Sequence, residues 1–339
     1  MIYSWQQDIW QRLMAAKPSL PNAILLQGRI GIGKLHLGRT LAQALLCESP
    51  LASGEPCEHC GACNWFKTGN HPDFRLLEPA ADAIGEAEEQ SKPADKKASR
   101  FITVAQVREL ADFVNLTTHR NGLRIILVHP AEAMNVNAAN ALLKTLEEPP
   151  PDTLFILVSH HSQRLLPTVR SRCQKIDIPL PERKTALSWL REQGVVKAES
   201  CLSQSGCSPL AALLLSAEDY QLKRERILDQ LGDPTRFDPL ALAEQSEKLE
   251  LAWVLDWVQQ WAYDLASIGM TAQTRYLVDP PAQMIRLAKA VNLIELLQFQ
   301  QELLVARRAV QHPLNNRLVL EQLFLSYGQL VNRQDAAYV

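Results

Sequence analysis

Up to about residue 178, short apolar runs alternate with longer stretches whose apolar positions recur every three or four residues. The runs are Ala23 to Leu26, Phe74 to Leu77, Arg124 to Val128 and Leu154 to Val158, and the stretches between them include Leu35 to Leu46, Val104 to Leu116 and Ala138 to Leu146. A strand covered on both faces needs a continuous apolar run, and parallel neighbours need a crossover helix between them. The alternation therefore predicts a parallel α/β sheet. After Gln174 to Ile178 and the prolines Pro179 and Pro181 the β-type runs stop, and helical periodicity carries the rest of the chain. That change marks a boundary near 178. Pro181 suits the first turn of a helix through Leu190 and Arg191, and Ser208-Pro209 opens another, so 179–218 reads as a small helical domain. The long stretches Leu251 to Ile268 and Leu293 to Val310 predict packed helices over 219–339. Three domains agree with 339 residues, more than one hydrophobic core usually serves. Between Ala80 and Arg100 the pattern lapses into Ala, Glu, Lys, Pro and Gly, which predicts a flexible, solvated surface loop.

A formal net charge of −2 leaves no excess of Lys and Arg to neutralise phosphates, so autonomous nucleic-acid binding is not expected and any DNA contact should be local. No apolar run approaches the length of a bilayer span, and Met1 to Trp5 lacks the basic start and apolar core of a signal peptide, which predicts a cytoplasmic protein. Seven cysteines, four of them within residues 47 to 63, fit a metal site in a reducing compartment better than a disulfide framework. Cys57, Cys60 and Cys63 make two overlapping C-x-x-C steps and Cys47 precedes them by ten residues, the spacing of a tetrahedral four-thiolate zinc site. Four thiolates close the coordination sphere, so the zinc is expected to be structural. His59 is the alternative ligand, and Cys173, Cys201 and Cys207 read as incidental.

Gly28-Arg29-Ile30-Gly31-Ile32-Gly33-Lys34-Leu35 follows one predicted strand and opens a predicted helix. In that setting glycine amides, the helix dipole and a lysine cradle phosphates, which nominates Gly28, Gly31, Gly33 and Lys34. The hydroxyl that should hold Mg²⁺ is replaced by Leu35. The strand Arg124 to Val128, where a metal-binding Asp and a water-polarising Glu should follow, ends instead in His129-Pro130. Glu132 lies beyond the strand end and reads as a surface residue. Hydrolysis by this chain is not expected. His71-Pro72-Asp73 reads as a turn into the strand from Phe74, and His129 and the pair His160-His161 lack partners at metal-ligand spacing.

Asn140-Ala141-Leu142-Leu143-Lys144-Thr145-Leu146-Glu147-Glu148-Pro149-Pro150, followed by a strand and then Ser171-Arg172-Cys173, closely resembles the clamp-loader ATPases of the AAA+ class. The resemblance runs from Trp5 to the stretch His312-Pro313-Leu314-Asn315-Asn316-Arg317. It implies an AAA+ P-loop-type α/β domain with an inserted zinc module, then a helical lid domain and an all-α collar domain that joins a hetero-pentamer. The implied partners are motor ATPase subunits of gamma/tau type, a delta subunit, and the sliding clamp and primed DNA through the complex. It also implies that Arg172 reaches the ATP of a neighbouring subunit as an arginine finger, with Arg170 as a nearby comparison. Leu210 stands where motor subunits carry a lid arginine that senses the γ-phosphate. With its own site degraded, the chain resembles a non-hydrolysing stator subunit of the DNA polymerase III holoenzyme; a motor subunit that hydrolyses ATP is the alternative.

Overall fold

Five short strands form one parallel sheet in the order β2-β3-β4-β1-β5: β1 (Ala23–Gln27), β2 (Phe74–Leu77), β3 (Arg124–Val128), β4 (Thr153–Ser159) and β5 (Gln174–Asp177). The computed structural model describes residues 2–83, 99–115, 122–310 and 315–332. In register, Leu25 of β1 stands beside Leu157 of β4 on one side and Lys175 of β5 on the other, and Ile126 of β3 beside Phe155 of β4. Every residue of β3 and β4 is buried, which is why those segments read as unbroken apolar runs rather than as alternation. At the edge, β5 exposes Gln174, Lys175 and Asp177, charged and polar groups that discourage pairing with another chain.

Helices cover both faces because both are apolar. On one, the helix Lys34–Leu46 sets Leu37, Leu41 and Leu45 against Leu26, Leu127 and Val158, with Ile9, Trp10 and Leu13 of the helix Gln7–Ala15 in the same core. On the other, Val107 and Leu110 of the helix Val104–Asn115 and Ala138 and Leu142 of Val136–Glu147 pack on Leu25, Ile126 and Phe155. With β1 inserted between β4 and β5, the strand order reverses beside β1, the crevice where open α/β sheets take ligands at their carboxyl ends. The loops after β1, β3 and β4 all leave from that end.

By contact density the chain divides into two compact units, Met1–Thr185 and Ala186–Val339. The second is helical among the described residues and has two separate cores. A small one gathers Ala186, Leu190, Cys201, Leu202 and Ala212. A larger one surrounds the helix Leu251–Thr271, which is apolar on most of its circumference and is accordingly buried along Val254, Trp257, Val258 and Trp261. The indole Nε1–H of Trp257 donates to the Tyr220 hydroxyl at 2.6 Å and that of Trp261 to the Tyr327 hydroxyl at 2.9 Å. The polar edges of these rings are thereby satisfied without water. Asp264, also on this helix and fully buried, accepts the backbone N–H groups of Arg275, Tyr276 and Leu277 at 2.8 to 3.2 Å and fixes the turn that follows the helix.

Two sequence expectations shift. The helix expected to begin at Pro181 runs Arg183–Glu192, leaving both prolines in the extended segment before it. In the expected loop Ala80–Arg100, Ala80–Ala83 is a helical turn, and 84–98 lie outside the described residues, as do 311–314 of the His312 stretch. Among the described residues no helix is long and apolar enough to cross a membrane.

Candidate functional site

The loop between β1 and the helix Lys34–Leu46 is shaped by its glycines. Gly28 has φ 153° and a Cβ there would stand 2.5 Å from the Ile178 carbonyl oxygen; Gly33 has φ 87° and a Cβ would meet the Tyr3 ring at 2.7 Å. No other residue fits either position without moving backbone or ring. Gly31, at φ 77°, also lies in the left-handed region. Lys34 turns inward: it is 2% exposed, and its Nζ donates to the carbonyl oxygens of Gly28 at 2.7 Å and Arg29. Burial lowers its pKa to about 8, with the Glu132 carboxylate opposing the fall. Leu35 packs against the apolar core, so an alkyl group stands where a metal-binding hydroxyl would be. The amino-terminal segment closes over the loop, with Trp5 Nε1 and Gln6 Nε2 both donating to the Ile32 carbonyl oxygen, at 3.0 and 2.8 Å. Tyr3 stacks on Trp5 with ring centroids 4.7 Å apart. This cover was missed in the sequence, where only Trp5 was singled out and nothing local ties Tyr3 or Gln6 to the loop.

At the ends of the neighbouring strands the structure corrects the reading of three residues. His129 after β3 and His160 after β4 face one another, Nε2 to Nε2 3.3 Å. Glu132 is not a free surface group: its Oε1 accepts the backbone N–H groups of His160 and His161 at 2.9 and 3.0 Å. Burial works to raise its pKa, but hydrogen bonds from backbone N–H groups prevail and hold the carboxyl below its ordinary range. His160 is pushed down to about 4 by burial and by the nearby Lys34 ammonium, against the pull of Glu132. Glu132 thus has one oxygen committed to these amides, while its Oε2 is buried without a hydrogen-bond partner.

Arg172 directly follows the short helix Pro167–Ser171 and precedes β5. Its side chain is about one-third exposed; Nη1 donates to the Thr168 carbonyl oxygen at 2.9 Å, and Nη2 pairs with Glu147 Oε1. A surface ion pair thus engages the guanidinium within this chain. Arg170 lies two residues earlier, half-buried, with its Nε buried and unpartnered. Leu210 lies in the helix Pro209–Leu215, half-buried.

The four predicted cysteines converge. Their sulfurs all lie within 4.8 Å of one another, with Cys47 to Cys57 at 3.5 Å, Cys47 to Cys60 at 3.8 Å and Cys57 to Cys63 at 3.9 Å. A tetrahedral ion with metal–sulfur bonds near 2.3 Å requires sulfurs about 3.8 Å apart, so the donor set fits. The amides of Cys57, Cys60 and Cys63 point at the sulfurs of Cys47, Cys57 and Cys60 at 3.4 Å, the outer hydrogen bonds thiolate ligands receive. His59 lies outside this set, its Nδ1 2.6 Å from the Cys57 carbonyl oxygen. These four cysteines can hold a metal ion. The turn His71-Pro72-Asp73 is buried, its Asp73 amide hydrogen-bonded to His71 Nδ1 at 3.1 Å, and leads directly into β2.

Two family models match, DNA polymerase III, delta subunit over residues 5–182 and DNA polymerase III, delta subunit, C terminal over 219–329. The DNA polymerase III subunit delta' of Pseudomonas aeruginosa is 36% identical, over 97% of this chain and 98% of that protein. This chain belongs to the delta-prime family of DNA polymerase III subunits. The Haemophilus influenzae member is 30% identical over 78% of this chain and 76% of its own length. Among solved structures, a gamma-subunit-related protein of Thermotoga maritima matches with a TM-score of 0.48 at 17% identity, over 96% of this chain and all of the other. The clamp-loader resemblance carried by Asn140 to Pro150 and by Ser171-Arg172-Cys173 is borne out at the level of the family.

Proposed function

We propose that this chain is the non-hydrolysing stator of a clamp-loader complex, which helps place the sliding clamp on primed DNA and supplies Arg172 in trans to the ATP of a neighbouring subunit. One observation carries the first half of this reading: at the crevice end of the sheet Leu35 stands in the hydroxyl position, His129 in the acid position, and Glu132, beyond the strand end, has Oε1 engaged by the amides of His160 and His161. Phosphoryl transfer relies on a bound Mg²⁺ and a positioned water, and this arrangement supports neither. Gly28, Gly31, Gly33 and Lys34 retain the form of a phosphate cradle. They are what the alternative, a motor subunit, would rest on.

The rest of the reading follows from the family. Residues 1–178 would be the AAA+ domain, 179–218 the lid and 219–339 the collar; the separate cores around Leu202 and Trp257 support that division of the helical part. The partners would be gamma/tau-type motor subunits and a delta subunit in a cytoplasmic hetero-pentamer. Cys47, Cys57, Cys60 and Cys63 would hold structural zinc. The ion would tie the 48–60 segment to the helix Gly61–Lys67, and Arg172, about one-third exposed, would offer its remaining N–H groups across the interface.

Arginine fingers in other systems contribute roughly 10³- to 10⁵-fold in rate. In a reconstituted loader with the corresponding arginines of the other subunits replaced, turnover reports the interface that Arg172 serves. Arg172→Ala should abolish DNA-stimulated turnover there while leaving assembly intact, and Arg170→Ala should not. Undiminished turnover with Arg172→Ala refutes the finger.

A further inference from the structure

Arg172 is already held before any neighbour arrives. Its two anchors come from rigid elements: Glu147 is the last residue of the helix Val136–Glu147, and Thr168 lies within Pro167–Ser171. Glu147 is about half exposed and 25 positions away in sequence, so the contact is made by the fold and not by local chain geometry. A guanidinium has five N–H donors in a planar fork, and two anchors leave donors available to a phosphate. A free arginine samples many rotamers, and ordering it on arrival at a transition state would slow the reaction by roughly 10-fold or more. An exposed ion pair is individually weak, so Glu147 can orient the guanidinium without outcompeting a triply charged phosphate chain.

We propose that Glu147 is a positioning residue for Arg172: by accepting from Nη2 at the end of its helix it presents the guanidinium to the neighbour's γ-phosphate already aligned. This rests on the reading of Arg172 as a finger, and the experiment separates the two. Four variants are assembled into the loader described above, Glu147→Ala, Glu147→Gln, Arg172→Ala and the double Glu147→Ala/Arg172→Ala, with Glu148→Ala as a neighbouring control. Assembly is followed by size exclusion, and kcat and KM of the DNA-stimulated ATPase are measured for each.

Glu147→Ala should lower kcat about 5-fold with KM unchanged. Glu147→Gln, whose amide oxygen still accepts, should stay within about 3-fold of wild type, Glu148→Ala should match wild type, and the double variant should be no slower than Arg172→Ala. Wild-type kcat with Glu147→Ala overturns the positioning role, as does an equal loss with Glu147→Gln. A purely structural role is shown instead if Glu147→Ala prevents assembly while Glu147→Gln restores assembly but not rate. If Arg172→Ala leaves turnover unchanged, the finger reading and the positioning role fall together; if Arg172→Ala alone is crippling, only the positioning role falls.

Discussion

Lys34 gives the sharpest link between the chemistry of the glycine loop after β1 and a number. In an active phosphate loop the lysine is indispensable; here it is buried, points back at the carbonyls of Gly28 and Arg29, and begins a helix, where the dipole disfavours a cation. The fall of its pKa from 10.5 to about 8 corresponds to roughly 3 kcal/mol of lost preference for the charged form. Lys34→Met keeps the length of the side chain and removes the charge. Two carbonyls lose a donor, but Arg29 is exposed and Gly28 half-buried, so water can replace much of what is lost, leaving a cost of about 1 to 2 kcal/mol. The variant should therefore be more stable than wild type by about 1 to 2 kcal/mol at pH 7, read by urea denaturation. Because the folded-state pKa is depressed, the unfolded chain holds more of the proton between about pH 8 and 10.5. Wild-type stability should rise by about 3 kcal/mol relative to Lys34→Met across that window, so the gap should close near pH 9 and reverse by about pH 10.5. The loader's ATPase should be unaffected. A variant destabilised by more than about 1 kcal/mol at pH 7, a gap that does not narrow, or a slowed loader would refute the reasoning.

Three further outcomes are expected. Asp264→Ala leaves three partly buried amides without their acceptor and should destabilise the carboxy-terminal helices by about 2 kcal/mol or more in thermal or urea unfolding, whereas a loss below about 1 kcal/mol would show that water replaces the carboxylate at the turn. His160, depressed from 6.5 to about 4, should make stability fall as pH drops from about 6.5 to 4, since the unfolded chain then takes up the proton first; His160→Gln should flatten that slope, and an unchanged slope would assign it to other groups. Stripping the metal with a chelator, or Cys60→Ser, should speed proteolysis within 48–60 while far-ultraviolet circular dichroism retains the helices, since that segment has no apolar core beyond the cysteines themselves; a purified chain holding no metal would contradict this.

How much of this was legible in the sequence depended on the range over which the physics acts. Strands such as Arg124 to Val128 and Leu154 to Val158 stood out because burial on both faces leaves an unbroken apolar run. The cysteine cluster stood out because Cys57, Cys60 and Cys63 fall within seven residues of sequence, with only Cys47 brought in from a distance. The glycines of the phosphate loop were visible because their conformation leaves no choice of residue. The pairing of His129 with His160 was invisible, since it depends on β3 and β4 being neighbours in the sheet. Glu132 was misjudged for the same reason: its partners are the amides of another strand's end, 28 and 29 positions on. The anchoring of Arg172 by Glu147 likewise crosses a strand and a helix. Pro181 marked the change of architecture correctly but not the helix start, because the extended segment continues to Glu182.

The most direct test of the central claim is the steady-state ATPase of the purified chain alone, and then of the chain assembled with motor subunits, delta subunit, clamp and primed DNA, as wild type and as Arg172→Ala. The account predicts no turnover by the chain alone and a loader crippled at one interface by the substitution. Hydrolysis by the chain alone that Lys34→Ala abolishes would contradict it, and would mean that Leu35, His129 and the engaged Glu132 do not disable the site.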